Sequence, residues 1–320
     1  MKKISIVVPV YYNEENLLPL YTDLKEKVID KLPNYNLDYE LIFVDDGSKD
    51  KSYMVMQELA KLDKKIVLVK LSRNFGEHSA LLASLTKATG DFAVRKAADL
   101  QEPSTLIIDM IEKYNEGNQV VIATRADRDE PAMQKALSSL YATIMQKIAL
   151  PNMPKGGFDS FLIDRQVIDV LVNMQEKNTS LMSQILWAGF KTDSVPYTRL
   201  KREIGKSRWT FSKKIKLAID SILSFSYFPI RFISSIGIIS SAISILIALI
   251  IIIRKLTGSI DVEGYSSIIV LLLFCFGILM FSMGILGEYM WRIFDAARNR
   301  PPFIVDTNPI LPKDDSKTEK

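Results

Sequence analysis

The first half of the chain alternates two textures. A β-branched apolar run leads into a stretch whose apolar positions recur at helical spacing, and the pattern repeats five times. "ISIVVPV" (4–10) precedes a helix over about 14–31, and "YELIFVDD" (39–46) one over about 50–63. "IVLVKLS" (66–72) precedes a helix over about 77–88, and "DFAVRKA" (91–97) one over about 103–116. "QVVIATR" (119–125) precedes one over about 133–149. Strands that alternate with helices predict a mostly parallel sheet covered on both faces.

The pattern then changes. Residues 232–253, "FISSIGIISSAISILIALIIII", carry no charge over 22 positions, and 266–287 form a second uncharged run. A helix of that length spans about 33 Å, close to a bilayer core. Both runs lie far from the N-terminus, so neither reads as a signal peptide. In the loop between them Arg254 and Lys255 offset Asp261 and Glu263. Upstream lie Lys213, Lys214, Lys216 and Arg231, and downstream Arg292, Arg298 and Arg300. The positive-inside rule puts both termini in the cytoplasm.

A basic run, 199–216, joins the two halves. It holds Arg199, Lys201, Arg202, Lys206, Arg208, Lys213, Lys214 and Lys216 against one acid, Glu203. Beyond it Ile215, Ala218, Ile219, Ile222 and Phe225 recur at helical spacing, which predicts an interfacial helix on an anionic membrane. The expected organisation is a catalytic domain over 1–210, an amphipathic interfacial helix over 211–231, a two-span hairpin over 232–291 and a cytoplasmic tail over 292–320.

Composition narrows the chemistry. Charged residues make up 24% and apolar residues 48% of 320 residues, ordinary for a globular chain. The one cysteine, Cys275, falls in a predicted span, so the chain offers no internal disulfide. The one histidine, His78, excludes a multi-histidine metal site, and packing is its simplest role.

Parallel sheets bind ligands beyond the C-terminal ends of their strands. The polar residues fall there: Asn13 and Glu14, Asp45 and Asp46, Arg73 and Asn74, Asp99 and Gln101, then Arg125. No glycine-rich turn follows the first strand, which speaks against a nicotinamide or flavin cofactor. Asp45 and Asp46 can accept hydrogen bonds from a ribose or a base. In "VRKAADLQEPS" (94–104), Asp99 and Gln101 supply hard oxygens for a divalent cation, while Ala97 occupies the place of a second carboxylate. Nothing along the sheet edge supplies an aromatic RNA-reading motif, so nucleic acid is not an expected partner.

The ordered set "IVVPVYYNEE", "IFVDDGSKD", "LSRNFGEHSALLASLTKATGD", "ADLQEP", "SFLIDR" and "REIGKSRWTF" resembles glycosyltransferase family 2 over about 3–300. The branch it is most similar to comprises the polyprenyl-phosphate glycosyltransferases, among them dolichol-phosphate mannose synthase and bacterial undecaprenyl-phosphate enzymes. The resemblance implies a GT-A (Rossmann-like) α/β fold, a nucleoside-diphosphate sugar donor (a UDP-sugar by likeness to the bacterial members) and Mg²⁺ or Mn²⁺. It implies inverting transfer to a polyprenyl phosphate at the cytoplasmic face of a bacterial inner membrane. By position, Pro9, Tyr11, Glu14, Asp45, Asp46 and Arg125 line the nucleotide. Asp99 and Gln101 hold the metal, Asp99 and Asp159 are catalytic, and Arg202, Lys206 and Arg208 take the acceptor phosphate. Ala97 stands where the family has an aspartate.

That departure need not silence the site. A cation needs about six oxygens, and substrate phosphates and water supply most of them around Mg²⁺. The acceptor phosphate has a second pKa near 6 and is largely ionised at pH 7, so a general base is hardly needed. Asp159 then positions the sugar or acceptor, or takes a residual proton. Two other readings remain open: an inactive membrane-anchored scaffold or sugar-nucleotide sensor, motivated by Ala97, and a polysaccharide synthase, whose "QxxRW" motif the chain lacks. The sugar, the acceptor chain length and any homo-oligomer are not legible in the sequence.

Overall fold

The structure is a computed structural model that describes residues 1–126, 139–140, 142–147, 149–154, 157–174, 176, 179–200, 211–257 and 264–308. It divides into two compact units, Met1–Ser221 with Pro301–Lys320, and Ile222–Arg300.

The first unit begins with β1 (Lys2–Val10), α1 (Glu14–Lys27), a 3₁₀ segment (Ile29–Tyr35), β2 (Leu37–Asp45) and α2 (Ser52–Leu62). It continues with β3 (Ile66–Lys70), α3 (Glu77–Lys87), β4 (Phe92–Arg95), α4 (Leu106–Asn115) and β5 (Val120–Arg125). Then come β6 (Ser160–Asp164), α5 (Arg165–Asn173), α6 (Leu181–Trp187) and β7 (Thr192–Tyr197). The seven strands form one sheet in the order β3-β2-β1-β4-β6-β5-β7. All neighbours are parallel except β6, which runs antiparallel to both β4 and β5. This is a GT-A-like α/β sheet, mixed and mostly parallel.

The five expected strands and the first four of their helices begin within about three residues of where the apolar pattern predicts. The first helix is shorter, because the chain tightens into the 3₁₀ segment after Lys27. The helix expected over 133–149 falls largely outside the described residues. Burial explains the uniform strand composition: Ile4, Ile6, Val7, Val8, Leu41, Ile42, Phe43 and Val44 are all fully enclosed. A strand covered on both faces needs apolar residues at consecutive positions.

Strands β6 and β7 were not anticipated. "SFLID" is five residues long and drew attention as a motif rather than as a strand. Its last residue, Asp164, also caps α5, accepting from Gln166 N. At the other edge, β3 is protected by the tail. Ser72 N–H donates to Ile304 O at 2.9 Å and Asp306 N–H to Lys70 O at 2.7 Å, around an antiparallel bridge of Leu71 with Val305. Such pairing covers a strand edge that would otherwise template aggregation.

Helix α7 (Phe211–Phe225) leaves the first unit and ends short of the 231 boundary expected for the interfacial segment. The second unit contains α8 (Phe228–Leu256) and α9 (Tyr265–Ala297), which pack on each other. Both are long and apolar enough to cross a membrane over Phe228–Ile247 and Phe274–Ala297. Many of their large apolar side chains point outward, among them Ile238, Leu246, Ile253, Leu272, Phe274 and Phe281. Helix α9 runs ten residues beyond the second uncharged run, and its last turns carry Glu288 and Arg292, paired at 3.2 Å.

Candidate functional site

The C-terminal ends of the parallel strands bring most of the expected residues to one edge, in three clusters. The first is built by the loops after β1 and β2. Tyr11 N–H donates to Asn13 Oδ1 at 3.1 Å, Tyr12 N–H to Ser48 Oγ at 3.0 Å and Asn13 N–H to Ser52 Oγ at 2.9 Å. Glu14 accepts from Lys51 N–H at 2.7 Å. Tyr12 is held at φ +56°, in the left-handed region. Pro9 sits opposite Val44 in the β1–β2 register. Tyr12, Asn13 and Glu14 thus clip the two loops together, while Tyr11 folds the β1 loop back on itself.

The paired aspartates that end β2 do different work. Asp45 is fully buried. Its Oδ1 accepts Ser48 N–H at 3.0 Å, and its Oδ2 has no hydrogen-bond partner among the described residues. Burial pushes its carboxyl up. An enclosed carboxylate oxygen without a donor is costly unless a ligand supplies one. Asp46 is saturated instead. Its carboxylate accepts from Phe75 N–H at 2.7 Å, Gly76 N–H at 2.9 Å and Asn74 Nδ2 at 2.8 Å. It anchors the "RNFG" loop after β3. Burial outweighs those two amides and raises its pKa to about 6.

Gly47 lets the two loops touch. It sits at φ +71°, and a Cβ there would fall 2.3 Å from the Arg73 carbonyl carbon. His78 begins α3 beyond this loop. Burial lowers its pKa to about 4 despite a hydrogen bond with the Glu176 backbone, so it is neutral near pH 7.

The second cluster is the turn after β4. Asp99 Oδ1 accepts Gln101 N–H at 3.2 Å, with Leu100 between them at φ +59°. The turn is held from below by Glu102, which the sequence reading passed over. Arg95 Nη1 donates to Glu102 Oε1 at 2.6 Å and Arg95 Nη2 to Glu77 Oε1 at 2.8 Å. Ala97 N–H donates to Glu102 Oε2 at 3.2 Å, and Lys96 Nζ bonds the Glu102 carbonyl. Burial works against the charge on Arg95, but Glu102 and Glu77 prevail and hold its pKa raised. Lys96 is lowered by burial despite Glu102. The sequence signal was present: "RK" placed two cations in a strand end that has to be buried.

Among the described residues no three histidine, cysteine or acidic side chains converge on one point. Asp99 and Gln101 nevertheless present two hard oxygens from one stiff turn. That set fits a divalent cation whose remaining ligands come from substrate and water.

The third cluster joins Arg125, Asp159 and Tyr197. Arg125 Nη2 donates to Asp159 Oδ1 at 2.9 Å, its Nε bonds Oδ2, and Tyr197 Oη donates to Oδ2 at 2.8 Å. The strand order explains the meeting. Antiparallel β6 brings its start, beside Asp159, to the end of β5, where Ala123 pairs with Ser160. Parallel β7 sets Tyr197 opposite Arg125. Burial pushes the Asp159 carboxyl up, but Arg125 and Tyr197 overcome it and hold the pKa below the usual range. Burial and Asp159 raise the Tyr197 phenol. Asp159 is therefore a fixed anion with both oxygens engaged. Arg202, Lys206 and Arg208 lie outside the described residues.

Comparison with known proteins identifies the family. The model of "Glycosyl transferase family 2" matches residues 5–172. The chain is 37% identical over 302 residues to the glycosyltransferase YkcC of Bacillus subtilis (strain 168), covering 94% of this chain and 92% of the relative. It is 34% identical over 304 residues to the bactoprenol glucosyl transferase of Shigella phage SfII, covering 95% and 97%. Among solved structures, the mannosyltransferase PcManGT from Pyrobaculum calidifontis in complex with GDP-Man and Mn²⁺ is 17% identical. That match has a TM-score of 0.46 and covers 67% of this chain and 60% of that one. The chain is a glycosyltransferase and belongs to glycosyl transferase family 2.

Proposed function

We propose that the protein transfers a sugar from a nucleoside-diphosphate sugar to a polyprenyl phosphate, with inversion, at the cytoplasmic face of a bacterial inner membrane. The observation that carries the donor half is Asp45 Oδ2, an enclosed acceptor at the end of β2 without a donor among the described residues. A ribose hydroxyl or base N–H satisfies it. The oxygens of Asp99 and Gln101 follow β4, two strands away across β1, or about 10 Å. The nucleoside then sits over β2, with its diphosphate toward β4. A UDP-sugar is the donor we favour. The acceptor half draws support from the two long apolar helices and from relatives named for bactoprenol.

A bound Mg²⁺ or Mn²⁺ would neutralise charge gained by the departing nucleoside diphosphate. The protein does the rest by positioning. Asp46 fixes the loop over the donor, and Glu102 fixes the Asp99–Gln101 turn. Asp159, kept ionised by Arg125, orients the sugar or acceptor instead of collecting a proton. The acceptor phosphate already carries the attacking charge near pH 7. Arg202, Lys206 and Arg208 are the proposed phosphate holders.

The test is to incubate membranes containing the protein with radiolabelled nucleotide sugars and undecaprenyl phosphate. A lipid-soluble labelled product is the expected result. A polymer would indicate a polysaccharide synthase. Absence of product from every donor would indicate a scaffold or sensor.

A further inference from the structure

The two oxygens suited to a metal already have a cation beside them. Arg199 lies two residues beyond β7. Its Nη2 donates to Gln101 Oε1 at 2.6 Å and stands 3.9 Å from Asp99 Oδ2. The main chain sets this approach. Leu200 N–H donates to Gln101 O at 2.9 Å, and Gln101 Nε2 donates back to Leu200 O at 3.3 Å. The turn it meets is stiff, because Gln101 N–H is tied to Asp99 Oδ1 and Leu100 is in the left-handed region.

A guanidinium stays charged at any accessible pH, and its forked donors match carboxylate and amide oxygens. A divalent metal seeks the same oxygens with the same sign of charge. Each therefore weakens the other's hold. Ala97 sharpens the conflict, since a second carboxylate there would offset the added positive charge. A phosphate arriving with the metal relieves it, because a displaced guanidinium bonds phosphate oxygens readily.

We infer that Arg199 is a resident cation of the Asp99–Gln101 turn that competes with the divalent metal and makes metal entry depend on the donor's diphosphate. The inference rests on the nucleotide-sugar reading above. It assigns Arg199 a positioning role: holding the turn before the donor binds and yielding when donor and metal arrive together. Metal alone binds weakly, metal with nucleoside diphosphate binds tightly, and Arg199 creates much of the difference.

Mn²⁺ binding to the full-length protein in detergent, followed by electron paramagnetic resonance with and without UDP, tests this. In Arg199→Gln, Mn²⁺ alone should bind about five- to tenfold tighter than in wild type, and the enhancement by UDP should shrink. Arg199→Lys keeps the charge but not the guanidinium's geometry, so its Mn²⁺ affinity should lie between those of wild type and Arg199→Gln. Arg199→Met retains the apolar stem and should shift in the same direction as Arg199→Gln, which covers a folding failure of the latter. Melting curves establish that each variant is folded. An Mn²⁺ affinity in Arg199→Gln or Arg199→Met that is unchanged or weaker overturns the inference. So does the absence of Mn²⁺ binding in every form; intact transfer to lipid would then leave the transferase reading standing. Tighter Mn²⁺ binding in Arg199→Gln, with no lipid product from any donor, would uphold the competition and overturn the transferase reading.

Discussion

Replacing Asp159 by asparagine probes whether this carboxylate is a proton acceptor or a fixed anion. In the wild type its two oxygens accept two bonds from Arg125 and one from Tyr197. Asparagine keeps one oxygen and its NH₂ group cannot accept: toward Arg125 it sets donor against donor, and toward Tyr197 it replaces a charge-assisted bond by a weak neutral one in which the phenol must accept. Breaking a buried ion pair by removing one partner costs about 3–5 kcal/mol. The Arg125 and Asp159 side chains are 19% and 30% exposed, so solvent screening reduces this to about 2–3 kcal/mol. At about 2–4 °C per kcal/mol for a unit of this size, melting should fall by about 4–12 °C. Tyr197→Phe removes one charge-assisted bond, about 1.5 kcal/mol, and should fall by about 3–6 °C. The sign with pH follows from the lowered Asp159 pKa. The stabilisation is present above the unfolded value, near 4, and is lost as pH falls through the lower folded value. The gap between wild type and Asp159→Asn should therefore be full at pH 7 and close in strong acid. Differential scanning fluorimetry of the detergent-solubilised protein across pH measures it, alongside turnover. An Asp159→Asn variant that melts with the wild type at pH 7 yet has lost all turnover would refute the fixed-anion argument and restore the general base.

Asp99→Ala should abolish turnover and the response to Mg²⁺ or Mn²⁺, measured as labelled lipid product against metal concentration; metal-dependent activity near wild type would remove Asp99 from the site. Ala97→Asp should lower the metal concentration for half-maximal activity, with turnover unchanged or slower if product release limits the rate. Gly47→Ala combines a left-handed residue with a 2.3 Å clash against backbone. About 1–2 kcal/mol for the conformation and 1–3 for overpacking should lower melting by about 4–20 °C, and a shift under 2 °C would show that the loops separate freely. Asp46, with its pKa raised to about 6, should release part of its grip on the Phe75 and Gly76 amides as pH falls through that value. Hydrogen exchange over 73–80, corrected for intrinsic rates, should rise there, and Asp46→Asn should lack the step. As a contribution to global stability the sign is opposite: this group favours the fold most below the unfolded value near 4, and that contribution is lost as pH rises through about 6.

Much of the first unit was legible in the chain itself. Apolar runs such as "ISIVVPV" and "LIFVDD" read as buried strands because a sheet covered on both faces excludes charge from consecutive positions. The same logic put Asp45, Asp99 and Arg125 at strand ends, and two uncharged runs marked the long helices α8 and α9. Local pattern could not reveal the reversed direction of β6, because direction depends on which neighbours a strand finds. That single reversal carries Asp159 to the end of β5, while β7 delivers Tyr197 beside it. It turns Arg125 and Asp159, 34 positions apart, into one ion pair. The same holds for the two adjacent aspartates. Sequence makes Asp45 and Asp46 equals, and only the folded loops give Asp46 three donors and leave Asp45 an oxygen with none among the described residues. Hydrophobic periodicity is a property of neighbours along the chain, so the sequence by itself decided which segments are buried. Charge pairing depends on neighbours in space, so only the tertiary structure decided which polar groups meet which partners.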